Sequence, residues 1–119
     1  MKRHYTFFID DILDAITTIE EFTKGMSEKE FLKDGKTQSA VVWKIVTIGE
    51  ASKNVPRNIR QKYNEVPWSD MAKMRDRVAH AYFGVSQEIV WAVVAKELPV
   101  IKPHILHILE EMKGGKLFS

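Results

Sequence analysis

The sequence predicts an all-α fold, an antiparallel bundle of four to six helices. Three observations carry this reading. Apolar residues recur three and four apart through most of the chain, no segment sustains the alternation of a strand, and turn-forming residues mostly fall between the periodic runs. The chain has 119 residues, a length suited to a single core, so residues 1–119 are read as one helical domain. Short connections then make successive helices antiparallel.

Each element has its own signature. Phe8, Ile9, Ile12, Leu13, Ile16, Ile19 and Phe22 share one side of a first helix, with Asp10, Asp11, Asp14, Glu20 and Glu21 filling much of the other. Gly25 is a natural stop. Ser27 and Glu30 form a capping box that opens a short helix reaching about Asp34. A third helix carries Val41, Val42, Ile45, Val46 and Ile48, and its Gly49 allows a neighbouring helix to come close. Pro56 suits the first turn of another short helix. The Val66-Pro67 step is extended and leads into a fifth helix through Met71, Met74, Val78, Ala79 and Tyr82. Gly84 permits a turn, and Ser86 is placed to cap the last element. Pro99 and Pro103 interrupt the apolar run Ile89–Leu109, which predicts a kinked or broken helix. The tail GGKLFS is expected to be frayed or docked loosely.

Composition narrows the function. Hydrophobic residues make up 45% and charged residues 29%, the mix of an ordinary folded protein. No apolar run approaches a membrane span. Acidic residues break the N-terminal apolar stretch too early for a signal peptide. The absence of cysteine removes disulfides, thiolate metal sites and a cysteine nucleophile. A cytoplasmic protein is the simplest reading. The net charge of +2 names no partner, but its distribution is uneven. Residues 52–77 carry seven basic residues against Glu65, Asp70 and Asp76, whereas residues 1–34 carry five basic and eight acidic. A phosphate-bearing ligand suits such a basic region, and so does a solvated helix face.

The densest chemistry is RDRVAHAYF, residues 75–83. At ~100° per residue, Asp76 and His80 are neighbours one turn apart, and Tyr82 falls two turns beyond Arg75 on the same side. Arg75 and His80 stand ~140° apart, so they meet on one ligand only if the helix bends or a second subunit completes the site. A histidine can move a proton near neutral pH, a guanidinium can bind two phosphate oxygens, and a carboxylate can fix the imidazole tautomer. These groups suit metal-independent RNA cleavage, in which the substrate's 2′-hydroxyl is the nucleophile. They equally suit a solvated flank in which Arg75 and Asp76 form a surface pair and Tyr82 is a core aromatic.

The R-x(4)-H-x-Y spacing, set in MRDRVAHAYFGV after VPWSDM, resembles the HepT-like branch of the HEPN superfamily. The likeness extends to the amphipathic first helix, VTIGEAS at residues 46–52, and VW followed by ELP. It implies a HEPN-like all-α toxin of a type VII HEPN/MNT toxin–antitoxin pair, a metal-independent endoribonuclease whose Arg75 and His80 lie in a cleft shared across a homodimer. Asp76 stands where this branch often has asparagine and is expected to orient His80. Tyr82 matches the tyrosine to which a small nucleotidyltransferase antitoxin attaches AMP, adding negative charge beside Arg75. The RNA, the second subunit and the nucleotidyltransferase are therefore the expected partners, with no cofactor. A non-catalytic helical subunit that binds a nucleotidyltransferase is the competing reading.

Other residues carry weaker signals. Lys73 and Arg77 are plausible phosphate contacts. His104 and His107 could face one side, but zinc wants about four ligands and no others stand at a recognisable spacing. Glu50 can support the site from beneath or serve as a paired core residue. Trp43, Trp68 and Trp91 suit core or subunit packing better than base stacking.

Overall fold

The computed structural model describes residues 4–83 and 86–118, with the side chains of 81–83 and 114–118 left aside. Seven α-helices follow one another, and there is no strand among the described residues: α1 (Tyr5–Thr23), α2 (Glu28–Phe31), α3 (Gly35–Asn54), α4 (Arg57–Lys62), α5 (Trp68–Phe83), α6 (Gln87–Ala92) and α7 (Leu98–Phe118). The all-α expectation of four to six helices holds, because α6, the turn after it and α7 form one continuous helical run.

Local chemistry sets the helix ends. Lys24 ends α1, and Gly25 follows at φ 73°, the left-handed position that glycine occupies without a side-chain clash. Ser27 and Glu30 make both bonds of the capping box at α2. The Asp34 carboxylate accepts from the Thr37 amide and starts α3. Those bonds to Thr37 hold the Asp34 carboxyl below its ordinary range. Pro56 sits one place earlier than expected, at the cap of α4. Ser86 occupies the cap of α6, but its side chain accepts no capping bond.

Helix α3 is the spine. It packs along α1 on one side and along α5 on the other, and α7 closes against α1. Ile9, Ile12, Ile16 and Ile19 of α1 are fully buried against Val41, Ile45 and Ile48 of α3, while Met71, Met74 and Val78 do the same from α5. Each of these side chains contributes about 1.5–3 kcal/mol on full burial. Phe31 and Trp91 meet with ring centroids 5.3 Å apart, fastening α2 to α6.

The last helical run departs from expectation. The chain between α6 and α7 widens into a π turn over Val93–Glu97, with the Leu98 amide donating to the Val93 carbonyl. Pro99, just beyond, has no amide proton and its ring crowds the carbonyl four residues back. A widened turn relieves that crowding without breaking the rod. Pro103 is then carried inside α7, which continues as helix through Phe118 where a frayed or loosely docked tail was expected. No described helix is long and apolar enough to cross a membrane.

Candidate active site on the fifth helix

The site is built where α5 crosses α3. Gly49 lies on the buried face of α3, and the Arg75 stem occupies the space where a side chain would be. A methyl group added at Gly49 would collide with the Arg75 Cβ and lie 3.1 Å from its Cγ and 3.3 Å from its Cδ. The close approach expected of Gly49 is therefore used to seat Arg75. The next residue, Glu50, places its Oε1 2.8 Å from Arg75 Nε. The Nε proton does not point along that line and makes no hydrogen bond, so the contact is an ion pair alone. On the other side Arg75 Nη1 donates to Asp76 Oδ1 at 3.1 Å.

Arg75 is thus held from both sides while 35% of its side chain stays exposed. Glu50 is ion-paired with Arg75 but exposed, so it is a paired residue outside the core. Asp76, expected to orient His80, instead spends one oxygen on Arg75, and no hydrogen bond joins it to His80. His80 is exposed and takes part in no hydrogen bond or ion pair among the described residues. Helix α5 is unbroken from Trp68 to Phe83, so Arg75 and His80 do remain ~140° apart around it. Tyr82 lies on the last turn of α5, but its side chain falls outside the described residues, as do Gly84 and Val85.

The two flanking cations differ. Arg77 Nη2 donates to Glu97 Oε1 at 2.7 Å, bracing α5 against the π turn. Lys73 is exposed. Of the tryptophans, Trp68 is buried and donates its indole proton to the Tyr63 carbonyl, Trp91 packs on Phe31, and Trp43 is 70% exposed. Trp43 and Glu50 are seven residues apart, ~20° from alignment on α3, so the exposed indole flanks the Arg75 site. The hollow of about 290 Å³ between α1 and α3 is lined by both. Sequence reasoning missed this adjacency, although the seven-residue spacing contained it.

No group of three or more histidine or carboxylate side chains suited to a metal occurs among the described residues. His107 faces Glu111 at 3.2 Å, and Tyr63 donates to the other oxygen of Glu111 at 2.6 Å. Burial first, and Glu111 second, push the Tyr63 hydroxyl up to about 12. The Tyr63 bond holds the Glu111 carboxyl below its usual range. This second polar cluster lies between α7 and the segment after α4.

Comparison with known proteins settles the lineage. The chain is 45% identical over 102 residues to "Probable ribonuclease HepT" of Thermococcus cleftensis, covering 86% of this chain and 93% of that one. It is 42% identical over 113 residues to "Putative RNase MJ0127" of Methanocaldococcus jannaschii, covering 95% and 93%. A longer protein of the same organism, "Gamma-glutamylcyclotransferase and putative RNase MJ0434", is 41% identical over 116 residues; these cover 98% of this chain but 52% of that protein. No solved structure matches. The family profile described as "Ribonuclease HepT-like" spans residues 12–108, which include Gly49, Arg75 and His80, and the chain belongs to that HepT-like family.

Proposed function

We propose that the protein is the toxin of a type VII HEPN/MNT toxin–antitoxin pair, a metal-independent endoribonuclease acting as a homodimer. The observation that carries the reading is the contrast between two side chains of one helix. Arg75 is wedged against Gly49 and paired with Glu50, a fixed cation, while His80 stands exposed with no hydrogen bond or ion pair among the described residues. A fixed guanidinium suits charge stabilisation at phosphorus, and a free imidazole suits proton transfer.

In this mechanism the RNA 2′-hydroxyl loses its proton to one His80 and attacks the adjacent phosphorus. The bond from phosphorus to the 5′-oxygen breaks, and that oxygen takes a proton from an imidazolium. The products are a 2′,3′-cyclic phosphate and a 5′-hydroxyl. Arg75 binds the non-bridging oxygens, and Asp76, as the orienting group, acts through Arg75 as well as toward His80. Lys73 and Arg77 steer the flanking strand. The ~140° between Arg75 and His80 is bridged by a second copy docking over the exposed Trp43, the type of side chain that anchors interfaces. AMP transfer to Tyr82 by a partner nucleotidyltransferase places phosphate beside Arg75 and closes the site. The protein acts in the cytoplasm, where its RNA is found.

The test is purified protein on total RNA, with His80→Ala and Arg75→Ala beside it. His80→Ala is expected to lower cleavage about 10²–10⁴-fold with helix content unchanged. A chelator leaves the wild-type rate intact. Cleavage of an all-deoxy strand, a magnesium requirement, or full activity in His80→Ala would overturn the mechanism. An inert wild type that still binds a nucleotidyltransferase through this face would favour the non-catalytic binding subunit.

A further inference from the structure

A second cleft, of about 410 Å³, opens between α4 and the start of α5. Arg57 and Arg60 project from α4 on one side, and neither forms an ion pair among the described residues. The Arg60 Nε is shielded from solvent and lacks any hydrogen-bond partner, an unmet donor that a bound oxygen would satisfy. Gln61 and Asn64 add amide groups along the wall, Pro67 and the edge of Trp68 supply an apolar floor, and Asp70 stands at the opposite rim. Cations on one side, planar amides and an apolar surface in the middle, and a lone carboxylate opposite match the parts of one nucleotide. The arginines take the phosphate, the floor takes the base, and Asp70 accepts from a base amine.

The cleft's place on α5 ties it to the candidate active site. Trp68 precedes Arg75 by seven residues, ~20° from alignment and ~10 Å along the axis. Ser69, on the cleft lining, precedes His80 by eleven residues, again ~20° from alignment and ~16 Å away. The two faces of α5 that bear Arg75 and His80 thus also border the cleft. At about 3.4 Å per stacked nucleotide, those distances span roughly three to five nucleotides. The cleft's rigidity comes from the Trp68 bond to the Tyr63 carbonyl at 3.0 Å, which fixes the connection between the helices.

We propose that this cleft is a substrate subsite that holds one nucleotide of a single-stranded RNA several residues from the bond cut at Arg75 and His80. The proposal rests on the ribonuclease reading. It predicts that the enzyme needs RNA long enough to reach the cleft, and that the subsite adds affinity without adding chemistry.

The experiment compares Arg57→Ser/Arg60→Ser with wild type, each also carrying His80→Ala for binding assays so that the probe survives. Binding of a fluorescent single-stranded RNA of about a dozen nucleotides is titrated across salt concentrations. Loss of the one phosphate held by the two arginines is expected to shrink the salt slope by about 0.7, with affinity down about tenfold at low salt. With His80 intact, kcat/KM on the long RNA falls similarly, while an RNA of about three nucleotides is cut at the wild-type rate. Arg57→Glu, altering only an exposed side chain, serves if the double variant folds poorly. Unchanged affinity and slope in a protein that still cleaves RNA would overturn the subsite and leave the ribonuclease reading standing. A wild type that neither binds nor cleaves RNA would overturn both. Saturable binding of free AMP that the variants abolish, with RNA affinity untouched, would assign the cleft to a free nucleotide instead.

Discussion

Two polar clusters of the molecule are built in opposite ways. At Tyr63, a hydroxyl on a side chain only 5% exposed donates to Glu111, whose other oxygen meets His107. Every group there has a partner from within the chain, and the contact joins segments 48 residues apart. At Arg75, two carboxylates hold the cation, but His80 has no hydrogen bond or ion pair among the described residues. A cluster whose groups are all satisfied internally has its energy spent on the fold. A cluster that leaves an exposed imidazole on the same helix as a fixed guanidinium keeps capacity for something outside the chain. Variants at the first should therefore change stability and leave cleavage alone, and variants at the second should do the reverse.

Gly49 is the sharpest test, because it belongs to both accounts. Alanine in a helix interior normally gains about 1 kcal/mol over glycine. Here the new methyl meets the Cβ of Arg75, which cannot swing aside as a side-chain tip would. Forcing the helices apart costs typically about 1–3 kcal/mol, so crowding offsets the propensity gain and exceeds it. Gly49→Ala is expected to lower stability to urea by up to about 2 kcal/mol net and to displace Arg75, cutting RNA cleavage at least tenfold at temperatures where the protein stays folded. A variant that is stabilised and fully active would show that α3 and α5 part freely and that Arg75 needs no wedge.

Tyr63→Phe probes the closed cluster. It removes the hydroxyl and keeps the ring, and the thermal midpoint is expected to fall by a few degrees with cleavage unchanged. The pH dependence separates the bond from packing. The folded Tyr63 holds its proton to about 12, whereas an unfolded tyrosine releases it near 10. The unfolded state therefore loses the proton first. The stability tied to Tyr63 is complete below about pH 10 and drains away between about 10 and 12. Glu111, depressed by the same bond, adds stability above its unfolded range that is lost as pH falls through its folded value. Melting curves of Tyr63→Phe should converge on wild type through the alkaline window. Parallel curves there would leave the fold indifferent to the hydroxyl.

What was legible in the sequence follows the range of the forces involved. Caps and stops act within one turn, so Gly25 and the Ser27–Glu30 box could be placed in advance. Gly49 announced a close approach, but not that Arg75 would fill it, because that depends on how α3 and α5 cross. Asp76 and His80 were one turn apart and expected to touch. The guanidinium of the adjacent residue, bent back toward Glu50, reached Asp76 first. The two prolines predicted a kink or break within the run Ile89–Leu109 and could not say that a π turn would absorb it, since that depends on packing keeping the rod continuous. The exposed Trp43 beside Glu50 was missed for a simpler reason: an indole in an apolar helix reads as core until the opposite face is seen to be full.

The smallest expected effect concerns Asp76. Its carboxylate is 67% exposed and makes one bond to Arg75 at 3.1 Å. Exposed pairs of this kind contribute little, since water screens them and ordering the side chains costs entropy. An amide oxygen at the same position can accept the same bond. Asp76→Asn thus keeps Arg75 in place and removes a negative charge from the approach of an RNA phosphate. Stability is expected to stay unchanged within error, RNA affinity to rise roughly twofold, and the gain to fade as salt is added. If cleavage instead collapses while affinity rises, the carboxylate itself is needed. Asp76 would then turn from Arg75 to His80 once substrate is bound, and the open cluster would be rearranged by its ligand.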